Sequence, residues 1–463
     1  MKSLIIEIQN KLQKKDITPE LLVEKSKKII EENIHANYVI TNATDLIKFN
    51  ENPNPSILSN IPYSLKDLII TKNIKTTGGM KFYEDFIPPY DSTVAKLLNS
   101  CGALLVSKDN CDETGFGGSG CEGLNGPVKL SENSIYTPMG SSSGPVVSVA
   151  LGSAIFSIGT DTADSIRRPA CFAGVVGYKP SYGLISRYGV FSYASSCDTV
   201  GVIAKYVTDT AIVAKELMVD DGKDYSIRSL PTPLHSPEQK TAITFSVIEG
   251  IEEYLTPQVK ELYLKSLEVI SLKFKVVKKP LNKNLLACIP ALYSIVCFSE
   301  GATNHALDTG VQVKTKFSSQ EKTYEQNLIA NRTNGYSDNL KRRMVLGYWV
   351  TNHENYNDIY EKAKKIRTLL NNYYDELLQD VDCLTLPGAS DLTPTITSVL
   401  EKTNSFTLAD ETLKMANFSG YPSISIPFYT KGEQHWGINL NGKNLGDQDL
   451  LDVAATIEEL FNC

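Results

Sequence analysis

The residues with the clearest chemical potential lie between Pro138 and Pro180, in PMGSSSGPVVSVALGSAIFSIGTDTADSIRRPACFAGVVGYKP. Ser141, Ser142 and Ser143 occupy a Gly-flanked loop ahead of an apolar run. Farther on, Thr162, Ala163 and Asp164 form a tight polar turn that leads into Ser165. A serine on such a turn, with backbone N–H groups converging beside it, suits acyl transfer. Its hydroxyl attacks a carbonyl, and the N–H groups hold the developing oxyanion. A serine-rich loop taken alone is equally an ordinary turn or a helix cap. No histidine is near either serine in sequence. Lys66, in Asn60–Asp67 (NIPYSLKD), offers a base instead. A lysine there is commonly solvated or paired, but burial would disfavour its ammonium form and leave a neutral base.

These residues need a scaffold, and the surrounding pattern supplies one. Residues 1–58 read as a helical N-terminal region. Thr18 is an N-cap with Pro19 at the first helical position, and Leu21, Leu22, Ile29 and Ile30 follow at helical spacing. From Ile61 short apolar runs, such as Ala103–Val106 and Val146–Ala150, alternate with Gly-, Ser- and Pro-rich loops. This is the texture of an α/β fold, and it marks 59–218 as the catalytic core. Residues 219–380 read as a mostly helical excursion, opening with a polar stretch punctuated by Pro231, Pro233 and Pro237. Glu361–Tyr374 is its clearest amphipathic segment, with Ala363, Ile366, Leu369 and Leu370 on one side. Residues 381–463 are expected to return to the sheet through Val381–Pro387 and Ile424–Pro427.

Composition narrows the function. The chain has 463 residues, 42% of them apolar and 21% charged, with a net charge of −7. That argues against disorder and against a broad basic face for nucleic acid or anionic lipid. No run of 18 apolar residues occurs, so no membrane span is expected. Met1–Gln13 is interrupted by Glu7, Gln9 and Asn10 and does not read as a secretory signal, and no Arg-rich transit peptide is evident. The nine cysteines form no C-x-x-C pair and the five histidines are scattered. Despite the regular spacing of Cys101, Cys111 and Cys121, buried reduced thiols are expected and a metal site is not. A nucleotide-binding loop lacks support, because Gly117-Gly118 has no following lysine.

The set as a whole resembles the amidase signature family, whose core reads G-G-S-S-G-G-S and then G-T-D-x-G-G-S-I-R-x-P. Its catalytic triad is Ser–Ser–Lys, with the middle serine on a cis peptide. The resemblance puts the cis-serine at Ser141, the nucleophile at Ser165 and the base at Lys66. Arg167 and Pro169 fit the end of the motif, and Gly177, Lys179 and Pro180 fit the G-x-K-P that follows. The fold it implies is α/β, a mixed β-sheet core covered by helices on both faces, with residues 1–463 forming a single amidase domain. Further segments resemble one branch of the family, the A subunits of glutamyl-tRNA(Gln) amidotransferases. They include Asn110-Cys111-Asp112-Glu113, Ser186-Arg187-Tyr188-Gly189, Ala194–Asp198, Lys341-Arg342-Arg343 with Leu346-Gly347, and Asn417–Pro422.

The chain also departs from the pattern. Met139 and Ser143 replace glycines, Pro145 replaces a serine, and Ala163 and Asp164 replace the double glycine before the nucleophile. Thr162, Ala163 and Asp164 are the expected oxyanion-hole donors, and a glycine's positive φ would be lost at the last two. A carboxylate beside an oxyanion is unfavourable unless a cation answers it, and Arg167 or Arg168 is the candidate. Asn304–Gly310 also differs from the branch's N-L-A-R-F-D-G.

By resemblance the substrate is glutamine, hydrolysed to glutamate and ammonia. Arg343, with Arg342 as the alternative, is expected to bind the α-carboxylate, Asp410 the α-amino group, and Tyr293 to lie over the substrate. The implied partners are a tRNA-binding B subunit, which would use ATP and Mg²⁺ to convert Glu-tRNA(Gln) to Gln-tRNA(Gln), and a small third subunit. No cofactor is expected in this chain, and tRNA is met only indirectly. The alternatives are a free-standing amidase and a catalytically degenerate structural subunit. The Asn-, Lys- and Ile-rich texture suggests the mitochondrial matrix, with a bacterial cytoplasm as the alternative.

Overall fold

Among the described residues, short runs from Val39 to Asn441 pair into one sheet of eleven strands. These are β1 (Val39–Asn42), β2 (Pro62–Lys66), β3 (Leu104–Asp109), β4 (Phe156–Asp161), β5 (Val176–Lys179), β6 (Thr199–Ala204), β7 (Thr244–Ile248), β8 (Lys275–Lys279), β9 (Cys383–Pro387), β10 (Ser423–Lys431) and β11 (Gln434–Asn441). The computed structural model describes residues 1–49, 56–309, 323–403 and 406–462, so Gly310 and Cys463 lie outside the described residues.

The spatial order is β1-β3-β2-β4-β6-β5-β10-β11-β9-β7-β8. The sheet is mixed. β2 runs parallel to β3 and β4, β7 runs parallel to β8 and β9, and antiparallel pairs fill the middle. Every residue of β2 through β6 and of β9 is buried, as a sheet covered on both faces requires. In β6 the alternation is explicit. Val200, Val202 and Ala204 join one core cluster, while Ile203 joins a second with Val146, Val147 and Ala170.

The first and third chain segments differ from the sequence reading. Residues 1–58 contain the helices Leu4–Gln13 and Pro19–Glu32, with Thr18 capping the second, but they also supply β1 at the sheet edge. The excursion 219–380 is indeed largely helical after its polar opening, yet β7 and β8 within it already rejoin the sheet. Four- and five-residue strands in helix-rich surroundings carry too short an alternation to reveal them. Leu21 and Leu369 are exposed, and Val23 and Leu370 carry the burial on their helices. The segment Lys283–His305 is long and apolar enough, by length and composition, to cross a membrane. Here Ile289, Leu292, Val296 and Cys297 are buried in the core, and helix Ile289–His305 packs on helix Asp338–Thr351. Gly347 permits that contact, since a Cβ there would lie 2.1 Å from the Phe298 carbonyl oxygen.

One buried pair joins the two halves of the sheet. Arg167, at the start of helix Arg167–Ala173, donates from Nε to Asp161 Oδ2 at 3.1 Å and from Nη2 to Asp161 Oδ1 at 3.0 Å. Its remaining N–H groups reach the Leu413 and Ala163 carbonyls, Asn417 Oδ1 and Ser423 Oγ. Burial opposes the Asp161 charge, but Arg167 outweighs it and holds the carboxyl below its usual pKa. Replacing Arg167 by Met would leave that carboxylate buried and unpaired. The expected loss is about 3–5 kcal/mol of unfolding free energy, measured by chemical denaturation. A loss below about 1 kcal/mol would contradict the assignment.

Candidate active site

β2 and β4 are parallel neighbours, so Lys66 and Asp161 end them at the same edge. Lys66 is fully buried there. Its Nζ is 2.9 Å from Ser141 Oγ and 2.9 Å from Thr160 Oγ1, donating to both. Burial pulls the ammonium pKa down to about 8. A minor neutral fraction is therefore present near neutral pH and grows as the pH rises, as a base requires.

The serine loop is stitched to β4. Ser142 N–H donates to the Ser165 carbonyl at 3.1 Å, and Ser142 Oγ to the Thr160 carbonyl at 3.1 Å. The Gly140–Ser141 peptide is cis. Gly140 is hemmed in by Asp112, because a Cβ would lie 2.4 Å from Asp112 Oδ2. That carboxylate accepts the N–H groups of Gly120 and Glu122, each at 3.0 Å, and so holds the facing loop. Met139, at an altered glycine position, takes φ 59°.

Ser165 follows a turn held by two carboxylates. Asp161 Oδ2 accepts the Ile166 N–H at 3.0 Å. Asp198 Oδ1 accepts from Thr162 Oγ1 at 2.7 Å and also takes the Ala194 N–H. The N–H groups of Ala163, Asp164 and Ser165 have no acceptor among the described residues. Neither Ala163 nor Asp164 has positive φ, so the loss of the double glycine puts no left-handed strain on the turn. The cation answering Asp164 is Arg168, whose Nε donates to Oδ2 at 2.8 Å. Arg167 is engaged by Asp161.

Ser165, Ala163 and Asp164 open onto a cavity of about 620 Å³. Arg343, Tyr293 and Asp410 line it as well, so the three expected substrate contacts share one space with the nucleophile. Arg342 is exposed and is not among the lining residues. Arg343 stands on helix Asp338–Thr351, one turn before Gly347. Its Nε donates to Asn339 Oδ1 at 3.2 Å, and its guanidinium lies 5.1 Å from the Phe298 ring centre. Burial works against its charge, but Tyr193, Tyr293, Glu122 and Asp112 raise its pKa overall. Among the described residues it has no carboxylate ion-pair partner, leaving the fork available for an incoming carboxylate. Tyr293 accepts a hydrogen bond from the Tyr193 hydroxyl at 2.8 Å. Asp410 is already well supplied with donors. Oδ1 takes Arg168 Nη1 at 3.1 Å and the Ser390 N–H at 3.0 Å, and Oδ2 takes Ser390 Oγ and the Thr407 N–H. Although burial pushes its pKa up, Arg168 and these donors bring it below the usual value.

Sequence reasoning did not single out Thr160 as a Lys66 partner, nor Glu122, Lys414 and Phe406 as cavity residues. Thr160 was within reach, since it is the middle residue of Gly159-Thr160-Asp161 and alternates onto the Ser141 side of β4. The other three stand on loops or short helical turns that only the tertiary fold brings to the cavity.

The chain has known relatives. The amidase family profile matches residues 28–451. The chain is 38% identical to the A subunit of the glutamyl-tRNA(Gln) amidotransferase of Mycoplasma pneumoniae, the match covering 100% of this chain and 99% of that one. It is 35% identical to the protein of the same name from Mycoplasma genitalium, at 100% and 99% coverage. The crystal structure of the glutamyl-tRNA(Gln) amidotransferase A subunit from Thermotoga maritima superposes with a TM-score of 0.79 at 26% identity, covering 95% of this chain and 91% of that one. With a lysine-bonded cis-serine, a second serine on a turn with free N–H groups, and a match over most of its length, the chain belongs to the amidase signature family.

Proposed function

We propose that this chain is the glutaminase subunit of a tRNA-dependent amidotransferase, releasing ammonia from glutamine for use on Glu-tRNA(Gln). The carrying observation is the buried contact of Lys66 Nζ with Ser141 Oγ at 2.9 Å, behind a serine that faces a cavity containing Arg343. The names of the full-length relatives support the same reading.

In this reading neutral Lys66 takes the Ser141 proton as Ser141 takes that of Ser165. Ser165 Oγ forms a bond to the side-chain amide carbon of glutamine. The N–H groups of the Thr162–Ser165 turn, with Ala163 and Asp164 central, receive the oxyanion. Collapse breaks the C–N bond, and the proton returns through Ser141 to the departing ammonia. Water then releases glutamate from the acyl-enzyme by the same relay in reverse. Arg343 binds the α-carboxylate, Asp410 faces the α-amino group, and Tyr293 packs over the aliphatic chain. Ammonia must avoid bulk water, where protonation removes its nucleophilicity, so an enclosed path to a second active site belongs to the scheme. That site is assigned to a partner B subunit using ATP and Mg²⁺, alongside a small third subunit. The net charge of −7 supports leaving the tRNA to the partner.

We read the chain as one amidase domain with a helical insertion, because both 59–218 and 219–463 contribute strands to the same sheet. A degenerate scaffold has lost its main motive, since Ala163 and Asp164 fit the turn without positive φ. For the compartment, the mitochondrial matrix stays the first reading, resting on the Asn-, Lys- and Ile-rich texture, with a bacterial cytoplasm as the alternative.

Three outcomes test this reading in the assembled complex. Ser165→Ala abolishes ammonia release from glutamine, and unchanged release would overturn the nucleophile. Because the free base is the active form of Lys66, kcat/KM falls about tenfold per pH unit below its pKa of about 8 and levels off above it. A flat profile from about pH 6.5 to 9 would remove Lys66 from the role. Arg343→Ala raises KM for glutamine by about 10- to 100-fold, as expected for losing a charge-assisted pair. Arg342→Ala changes it less than about twofold, and the reverse ranking would reassign the carboxylate site.

A further inference from the structure

Arg168 occupies a position for which the reaction scheme has no use, yet it is one of the most constrained cations in the protein. Its side chain is 3% exposed. It bridges two carboxylates that both line the cavity. Nε donates to Asp164 Oδ2 at 2.8 Å, and Nη1 donates to Asp410 Oδ1 at 3.1 Å. Nη2 reaches the Asp410 carbonyl at 3.2 Å, and the Phe406 ring lies 4.4 Å from the guanidinium carbon. Asp164 belongs to the turn whose N–H groups face the reacting carbonyl. Asp410 belongs to the end that receives the α-amino group.

Two electrostatic demands meet at this one guanidinium. A bare carboxylate on the oxyanion turn would oppose the negative charge that forms there, so Asp164 needs a fixed counter-charge. Asp410, by contrast, must keep some unmet negative charge to attract an ammonium group. One cation shared between them satisfies the first and limits how far it satisfies the second.

Resting on the glutaminase reading, we infer that Arg168 is a positioning residue that couples the two ends of the glutamine site. It neutralises Asp164, so that the turn stabilises the oxyanion without a glycine pair. By dividing its charge, it also sets how strongly Asp410 attracts the substrate's α-ammonium. Removing Asp164 releases Arg168 to Asp410 and weakens amino-group recognition. Removing Arg168 exposes the oxyanion turn to the Asp164 charge.

The test compares wild type, R168K, R168Q, D164G and D164G/R168Q as assembled complexes. Ammonia release is measured with glutamine and with glutaramate, which lacks the α-amino group. R168Q lowers kcat for both substrates by about tenfold or more, and adding D164G restores kcat to within about threefold of wild type. D164G alone raises KM for glutamine by about threefold or more, with KM for glutaramate unchanged. R168K retains most of the kcat lost in R168Q. Multiplicative kcat losses in the double variant, or equal KM shifts for the two substrates, would overturn the coupling. If R168Q does not assemble, the D164G comparison alone decides, because it leaves the cation in place. A wild-type complex that releases no ammonia from glutamine would instead overturn the glutaminase reading on which the coupling rests.

Discussion

The buried Arg167–Asp161 pair is the constraint on which the active site depends. Both side chains are fully buried, a placement that costs free energy unless every charge and donor is answered. Here they are answered. The guanidinium spends its N–H groups on Asp161, two backbone carbonyls, Asn417 and Ser423, and Asn417 Nδ2 returns a bond to Asp161 Oδ1 at 2.9 Å. Asp161 also holds the Ile166 N–H. The carboxylate that ends β4 thereby shapes the nucleophile turn and fastens it to the C-terminal part of the sheet. The geometry around Ser165 is a property of the whole fold, not of its loop.

Lys66 shows the opposite use of burial. Among the described residues no carboxylate forms an ion pair with it, and its hydrogen bonds go to two hydroxyls, so desolvation outweighs the pull of Asp112, Asp161 and Asp198 farther off. On the neighbouring strand Lys108 is equally buried but lies 3.3 Å from Asp67 Oδ1. Burial lowers the pKa of both lysines, and the difference between them lies in their partners. One is matched by a fixed negative charge, and the other is given only groups that can pass a proton.

The legibility of the site followed how local each signal was. Ser141, Ser165 and Lys66 are each embedded in a short run whose residues remain neighbours in space, and the structure brings Lys66 to Ser141 as the motif implied. Spacing favoured Arg343 and left Arg342 as the alternative, since adjacent helical residues differ by about 100° in direction and packing decides which faces inward. The contact at Gly347 makes that choice. The counter-ion of Asp164 was narrowed to two arginines but not to one, because the pairing of Arg167 with Asp161 and that of Arg168 with Asp164 are set by side-chain directions that the sequence does not show. The helical texture of 1–58 and 219–380 concealed β1, β7 and β8, whose short runs owe their form to partner strands.

The strand order has a consequence for how the protein is made. β5, just beyond the nucleophile, pairs with β10, and Arg167 finds its last partners at Asn417 and Ser423. During synthesis Ser165 leaves the ribosome long before either. At about 5–20 residues per second the delay is on the order of tens of seconds. Through that interval the nascent chain carries a buried-type arginine, an unpaired β5 edge and an unfinished nucleophile turn. The enzyme is therefore inactive until nearly the whole chain has emerged, and its newly made N-terminal half is the stretch that most needs chaperone shelter.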